Sequence, residues 1–419
     1  MKRIAACSAT LLIVLSTTAV AVTIDPIDSN ILYTGRWDFS NPFAPWCGWQ
    51  GSSIIARFHG TGITATLDSG DTTEYFRIII DDAANSNKIP VFNTIQTYTL
   101  ASGLADSTHK VEIVKESYSD LGNKTVFYGF EVTGAGLVSP PARPPRKIEF
   151  YGDSNLAGQS LEHEQNQSAT SLRGSYYGYA GITSRMFNAE YQNISKSGAT
   201  ISSQNGVYDR IGYNYSTPKW DFNDFPADVV VVNLGSNDVG WSKIKIKNDY
   251  HAFLDDLRTV HPSAHIMLFN AWGWDYNEPA NYIHEVIDER SDPNMSSKTF
   301  PWLFEQWHGC EYDHAGMAQV LADHLSSVMG WSQNPIDVMD GFGHNGNVAN
   351  GSFEEVAPFG GYGWRYMASG VSRIYDPAGA YDGDYYLCLN SGKNVHQPNP
   401  ANPGDEFTGH SGLDFAASP

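Results

Sequence analysis

The chain has 419 residues, 41% hydrophobic and 17% charged, too apolar for a disordered chain and enough for two or three domains. Twenty-six Lys and Arg against 46 Asp and Glu give a net charge of −20. That charge repels phosphate backbones and anionic membrane surfaces, so nucleic-acid and membrane partners are not expected.

Residues 1–21 read as a secretory signal peptide. Lys2 and Arg3 precede the apolar run Leu11 to Leu15, and Ala19-Val20-Ala21 supplies the small residues of a cleavage site after Ala21. A secreted, extracellular protein is the expectation. Ile4-Ala5-Ala6-Cys7 has the look of a lipoprotein box but precedes the apolar core, which argues against a lipid anchor. Once Cys7 leaves, Cys47, Cys310 and Cys388 remain, so at most one disulfide forms. There is no Cys-x-x-Cys pair, and His163-Glu164 and His284-Glu285 lack the second His of a zinc helix; no metal or other cofactor is expected.

From 22 to 138, short alternating runs such as Ile54 to Phe58, Ile63 to Leu67, Tyr75 to Ile80 and Lys110 to Val114 are separated by turn residues. This spacing predicts an antiparallel β-sandwich of jelly-roll type. Residues 139–146 contain Pro140, Pro141, Pro144 and Pro145, a composition that favours an extended linker between domains. Residues 147–332 then alternate strand-like and helical stretches. Lys147 to Tyr151, Asp228 to Leu234 and His265 to Phe269 read as strands, and 176–189, 248–260 and 315–329 as helices. The alternation predicts a three-layer α/β domain around a parallel sheet. Residues 333–419 read as a Gly- and Asn-rich linker followed by short β-like runs such as Tyr385 to Leu389; with Asn350 to Glu354 and Gly363-Trp364 the segment resembles the start of a jelly-roll carbohydrate-binding module, which implies a partial β module of that kind.

Ligands of open parallel sheets bind where the strands end, so the loops after the strands carry the chemistry. The first is Gly152-Asp153-Ser154-Asn155, whose Ser is either a helix cap or a nucleophile at a strand tip. Three further blocks follow in order: Ser195-Lys196-Ser197-Gly198, Gly235-Ser236-Asn237-Asp238 and Glu311-Tyr312-Asp313-His314. Together they supply a hydroxyl, backbone and side-chain N–H donors, and an imidazole, the parts of a serine acyl-transfer site.

These four blocks resemble those of the SGNH hydrolase superfamily. The preceding domain resembles the amino-terminal domain of carbohydrate esterase family 2, in Gly35-Arg36-Trp37, Gly51 to Phe58 and Ile80-Asp81-Asp82. The resemblance implies an acetylesterase acting on acetylated plant-type polysaccharides or oligosaccharides. It implies Ser154 as nucleophile, and Ser154, Gly198 and Asn237 as the oxyanion hole. His314 would be the base, with Glu311 as its orienting acid; Asp313 or a backbone carbonyl are alternatives for that last role. His308 in Trp307-His308-Gly309 is the rival base, set aside because it precedes the position read as the helix entry. Trp272 and Trp274 follow a strand on the active-site edge and are expected to bind substrate. The other readings are a lipid or lysophospholipid esterase on the same scaffold and an inactive glycan-binding protein.

Overall fold

The computed structural model describes residues 21–84, 88–117, 124–162, 168–238, 240–269, 279–299, 308–309 and 311–335, with short strands between 365 and 416. The N-terminal domain is one antiparallel network: β1 (Ala21–Ile24), β2 (Ile31–Thr34), β3 (Trp37–Asp38), β4 (Trp46–Cys47), β5 (Ser53–Asp68), β6 (Glu74–Ile80), β7 (Ala83–Ala84), β8 (Ile89–Val91), β9 (Gln96–Ala101), β10 (Ser107–Lys115) and β11 (Thr125–Val138). Inside it lie Phe58, Leu67, Ile78, Val111, Phe127 and Val132. The runs at 54–58 and 63–67, expected as two strands, are one. Ile54, Ala56 and Phe58 face inward before Gly60-Thr61-Gly62, and Ile63, Ala65 and Leu67 after it, so the alternation changes phase within β5. Close backbone approach causes the irregularity: a Cβ on Gly60 would lie 2.2 Å from the Thr133 carbonyl oxygen, and the β5–β11 register shifts there. The cleavage site expected after Ala21 falls on the first residue of β1, which pairs with Thr133; residues 1–20 lie outside the described residues.

The second domain contains β12 (Arg146–Gly152), α1 (Tyr179–Met186), β13 (Ala189–Ser195), α2 (Ile201–Asn205), β14 (Arg210–Gly212), β15 (Tyr215–Lys219), β16 (Val229–Asn233), α3 (Lys243–Val260), β17 (His265–Phe269), α4 (Pro279–Arg290), β18 (Met295–Lys298) and α5 (Glu311–Met329). Five parallel strands line up as β13-β12-β16-β17-β18. Val229 and Val231 pack with Ile182 of α1 and Leu321 of α5 on one face. Val230 and Val232 pack with Phe253 of α3 and Val286 of α4 on the other. Burial on both faces explains why the valine run is uninterrupted. Beyond 335, Arg365–Tyr366 pairs with Asn394–Gln397, which pairs with Leu413–Ala416, and Val371–Tyr375 pairs with Tyr385–Leu389.

The proline-rich segment is not a free connector. Arg143 pairs with Glu190 at 2.9 Å and donates to the Tyr33 carbonyl, tying the segment to both domains, and Arg146 already belongs to β12. Polar groups knit the domains further. Arg36 is buried, with Nη2 2.5 Å from Glu149 Oε1, Nε 2.8 Å from Gln192 Oε1, and Nη1 on the carbonyls of Tyr208 and Arg210. The other Glu149 oxygen lies 2.5 Å from His261 Nε2. Trp49 enters the core of the second domain, and its indole N–H reaches the Arg210 carbonyl at 2.9 Å.

Candidate active site

The register brings three loops to one edge. Gly152, the last residue of β12, is level with Ser195 of β13 on one side and Asn233 of β16 on the other. Ser154, Gly198 and Asn237 therefore leave three adjacent strands within a few residues of their ends, with the Ser154 loop in the middle. Asp153 and Ser154 open a tight turn in which their carbonyls accept the N–H groups of Ala157 and Gln159. The carboxylate of Asp153 accepts the Asn155 N–H at 2.9 Å. Asp153, rather than Ser154, thus supplies the local cap, and the Ser154 hydroxyl is used elsewhere.

Cross-loop hydrogen bonds hold the three loops together. The Ser236 hydroxyl donates to the second Asp153 oxygen. The Asn237 amide donates to the Ala199 carbonyl at 3.0 Å, leaving its other N–H hydrogen for a ligand. Asp238 accepts the Ile201 N–H at the head of α2 (3.2 Å), and the Ser197 hydroxyl donates to Gln159 Oε1 (2.5 Å). Gly198 has φ +75°, a left-handed conformation that favours glycine, and open space where a Cβ would be. Burial pushes Asp153 and Asp238 each up to about 6, against the hydrogen bonds each accepts. These clamps were not singled out from the sequence, although Asp153 and Ser236 stand inside the blocks that were.

The imidazole that meets Ser154 is that of His308: Nε2 lies 2.7 Å from Oγ. This corrects the expectation that His314 does so. The reason is the start of α5, which begins at Glu311, the first residue of the loop read from the sequence and four residues before the helix start expected at Ala315. His314 consequently lies inside the first turn of the helix, and the loop position before it belongs to His308. His314 is buried, and its Nδ1 accepts the N–H of Tyr179, at the head of α1, at 3.2 Å. That bond fixes Nδ1 as the unprotonated nitrogen. Burial lowers His308 to about 4; burial, and then the neighbouring His308, lowers His314 to about 3.

Glu311 stands elsewhere than expected of an orienting acid. Its N–H donates to the Leu161 carbonyl at 2.8 Å. Burial, then Glu162, raises its carboxyl to about 8, and the other charges bearing on it are Arg77, Glu116 and Lys88. That is the setting of a domain-interface ion cluster. Trp272, Trp274 and Trp307 lie outside the described residues, as does the side chain of Asp313.

Residues 33–141 match the family described as Carbohydrate esterase 2 N-terminal, and residues 150–294 match the GDSL-like Lipase/Acylhydrolase family. Among curated proteins, the chain is 32% identical over 335 residues to the Cellulase/esterase CelE of Acetivibrio thermocellus. That alignment covers 73% of this chain and 40% of the relative, so this chain spans well under half of that longer protein. The Acetylxylan esterase / glucomannan deacetylase of Cellvibrio japonicus is 25% identical over 349 residues, covering 78% of this chain and 96% of the relative. Among solved structures, a family two carbohydrate esterase from Clostridium thermocellum in complex with cellohexaose superposes with a TM-score of 0.65 at 31% identity, covering 72% of this chain and 99% of that one.

Proposed function

This chain belongs to carbohydrate esterase family 2, an esterase family on the SGNH scaffold, and on that premise we propose that it removes O-acetyl groups from plant-type polysaccharides or oligosaccharides through an acyl-enzyme on Ser154. The observation that carries the reading is the 2.7 Å approach of His308 Nε2 to Ser154 Oγ at the edge where three strand-end loops are clamped together. His308 is the general base in this reading. As Ser154 Oγ attacks the acetyl carbonyl carbon, its proton passes to Nε2, and the carbonyl oxygen takes the negative charge. The backbone N–H groups of Ser154 and Gly198 and the remaining Asn237 N–H stabilise that oxygen. The C–O bond to the sugar then breaks, and the proton on His308 goes to the departing sugar oxygen. Water repeats the attack with His308 again as acceptor, releasing acetate and restoring Ser154.

His314 has a supporting part here: it holds the head of α1 through Tyr179, behind the reacting pair. The charged and apolar segments at Lys2 to Ala21 support export as the route to an extracellular polysaccharide. The test is acetate release from acetylated xylan and acetylated glucomannan, with nitrophenyl esters of increasing chain length alongside. Release by the wild-type protein and none by Ser154→Ala is expected, with acetyl esters preferred. A preference for acyl chains longer than butyryl would instead support a lipid substrate, and unchanged release by Ser154→Ala would refute the mechanism.

A further inference from the structure

We propose that Arg77, on the N-terminal domain, is a positioning residue for the Ser154–His308 pair, holding the segment that follows Ser154 against the first turn of α5. Arg77 lies on β6 and is buried. Its Nε lies 2.5 Å from Glu116 Oε1, its Nη2 pairs with Glu162, and the Tyr177 ring centroid is 4.8 Å from the guanidinium. Glu116 in turn accepts the backbone N–H groups of Ser175 and Tyr176. Lys88, also from the N-terminal domain, lies 2.9 Å from Glu162 Oε2 and 2.5 Å from the Arg173 carbonyl oxygen. Two cations and one carboxylate of the first domain thus grip the second domain at Glu162 and at 173–176.

The grip leads directly to the reacting groups. Between Ser154 and Leu161 the chain is closed by successive turns, with Gln159 N–H on the Ser154 carbonyl and Leu161 N–H on the Gly158 carbonyl. The Leu161 carbonyl then accepts the N–H of Glu311, the first residue of α5, and His308 stands three residues before it. A shift of Glu162 would therefore pass to Ser154 through the turns and to His308 through Glu311. Apolar residues of the same shape could pack such an interface with similar stability. What the ions add is direction, since a planar guanidinium fork fixes two carboxylates at once.

This inference rests on the acyl-transfer reading, and the experiment separates the two. Nitrophenyl acetate hydrolysis is measured on wild type, Arg77→Met and Arg77→Lys, with near-ultraviolet circular dichroism counting folded protein. In folded Arg77→Met, kcat is expected to fall about 10- to 10²-fold, as small misplacements of reacting groups do, while KM stays within about threefold. Arg77→Lys, which keeps the charge without the fork, is expected to recover part of the loss. Wild-type kcat in folded Arg77→Met overturns the proposal. Should that variant not fold, Glu162→Gln is read the same way, and wild-type kcat there overturns it equally. Inactive wild-type protein would instead refute the acyl-transfer reading itself.

Discussion

Replacing His308 by Ala and His314 by Ala should produce opposite failures. The His308 change removes the acceptor 2.7 Å from Ser154 Oγ, on a loop that precedes α5. A positioned general base contributes about 10²- to 10⁴-fold, so kcat/KM should drop by that factor, or roughly 2.7–5.4 kcal/mol of transition-state stabilisation. The thermal midpoint should move little. His314→Ala removes a buried ring, frees the Tyr179 N–H of its partner and leaves a cavity in the core, which together should cost about 2–4 kcal/mol of stability. Activity per folded molecule should stay within about tenfold of wild type. Nitrophenyl acetate kinetics run beside thermal melts distinguish the two. A His308→Ala protein at wild-type rate, with a folded but dead His314→Ala protein, would refute the assignment.

If the Asn237 amide hydrogen left over from the Ala199 bond serves the developing oxyanion, as proposed, Asn237→Ala should lower kcat by about 10²- to 10³-fold with KM nearly unchanged; an equal rise in KM would contradict this. The base must be neutral to act, and burial lowers His308 to about 4, so kcat/KM should persist as pH falls through 6.5 and decline only near pH 4. An acid limb at 6.5 or above in a pH–rate profile would contradict that reasoning. Gly158→Ala should destabilise by about 3 kcal/mol or more in denaturant titration, since the residue sits at φ +67° and a Cβ would lie 1.6 Å from the Gly174 carbonyl oxygen; wild-type stability would show that the turn yields. Arg36→Ala should cost about 3–5 kcal/mol by stranding Glu149, and an unchanged unfolding midpoint would show that His261 alone satisfies that carboxylate.

Most of the architecture was legible because its signals are local. The alternating runs gave the first domain and the doubly buried valine run gave the parallel sheet. The proline cluster marked the gap between β11 and β12. That Ser154, Gly198 and Asn237 share one edge of the sheet was legible because each stands within a few residues of a strand end, and strand ends in a parallel sheet lie together. Which imidazole meets Ser154 was not legible, because the choice between His308 and His314 turned on where a helix begins. Helix boundaries are set by tertiary partners, here the Leu161 carbonyl receiving the Glu311 N–H from 150 residues earlier in the chain. The interface role of Glu311 was illegible for the same reason: Arg77, Lys88 and Glu116 lie in another domain, and no local pattern joins them.

The pairing of Ser154 with His308 is tested most directly by covalent labelling with a fluorophosphonate, an acyl-transfer mimic, followed by peptide mass spectrometry. A single adduct on Ser154 is expected in the wild-type protein, formed at a similar rate in folded His314→Ala and about 10²-fold or more slowly in His308→Ala. An adduct on another residue, or undiminished labelling of Ser154 once His308 is gone, would contradict the account.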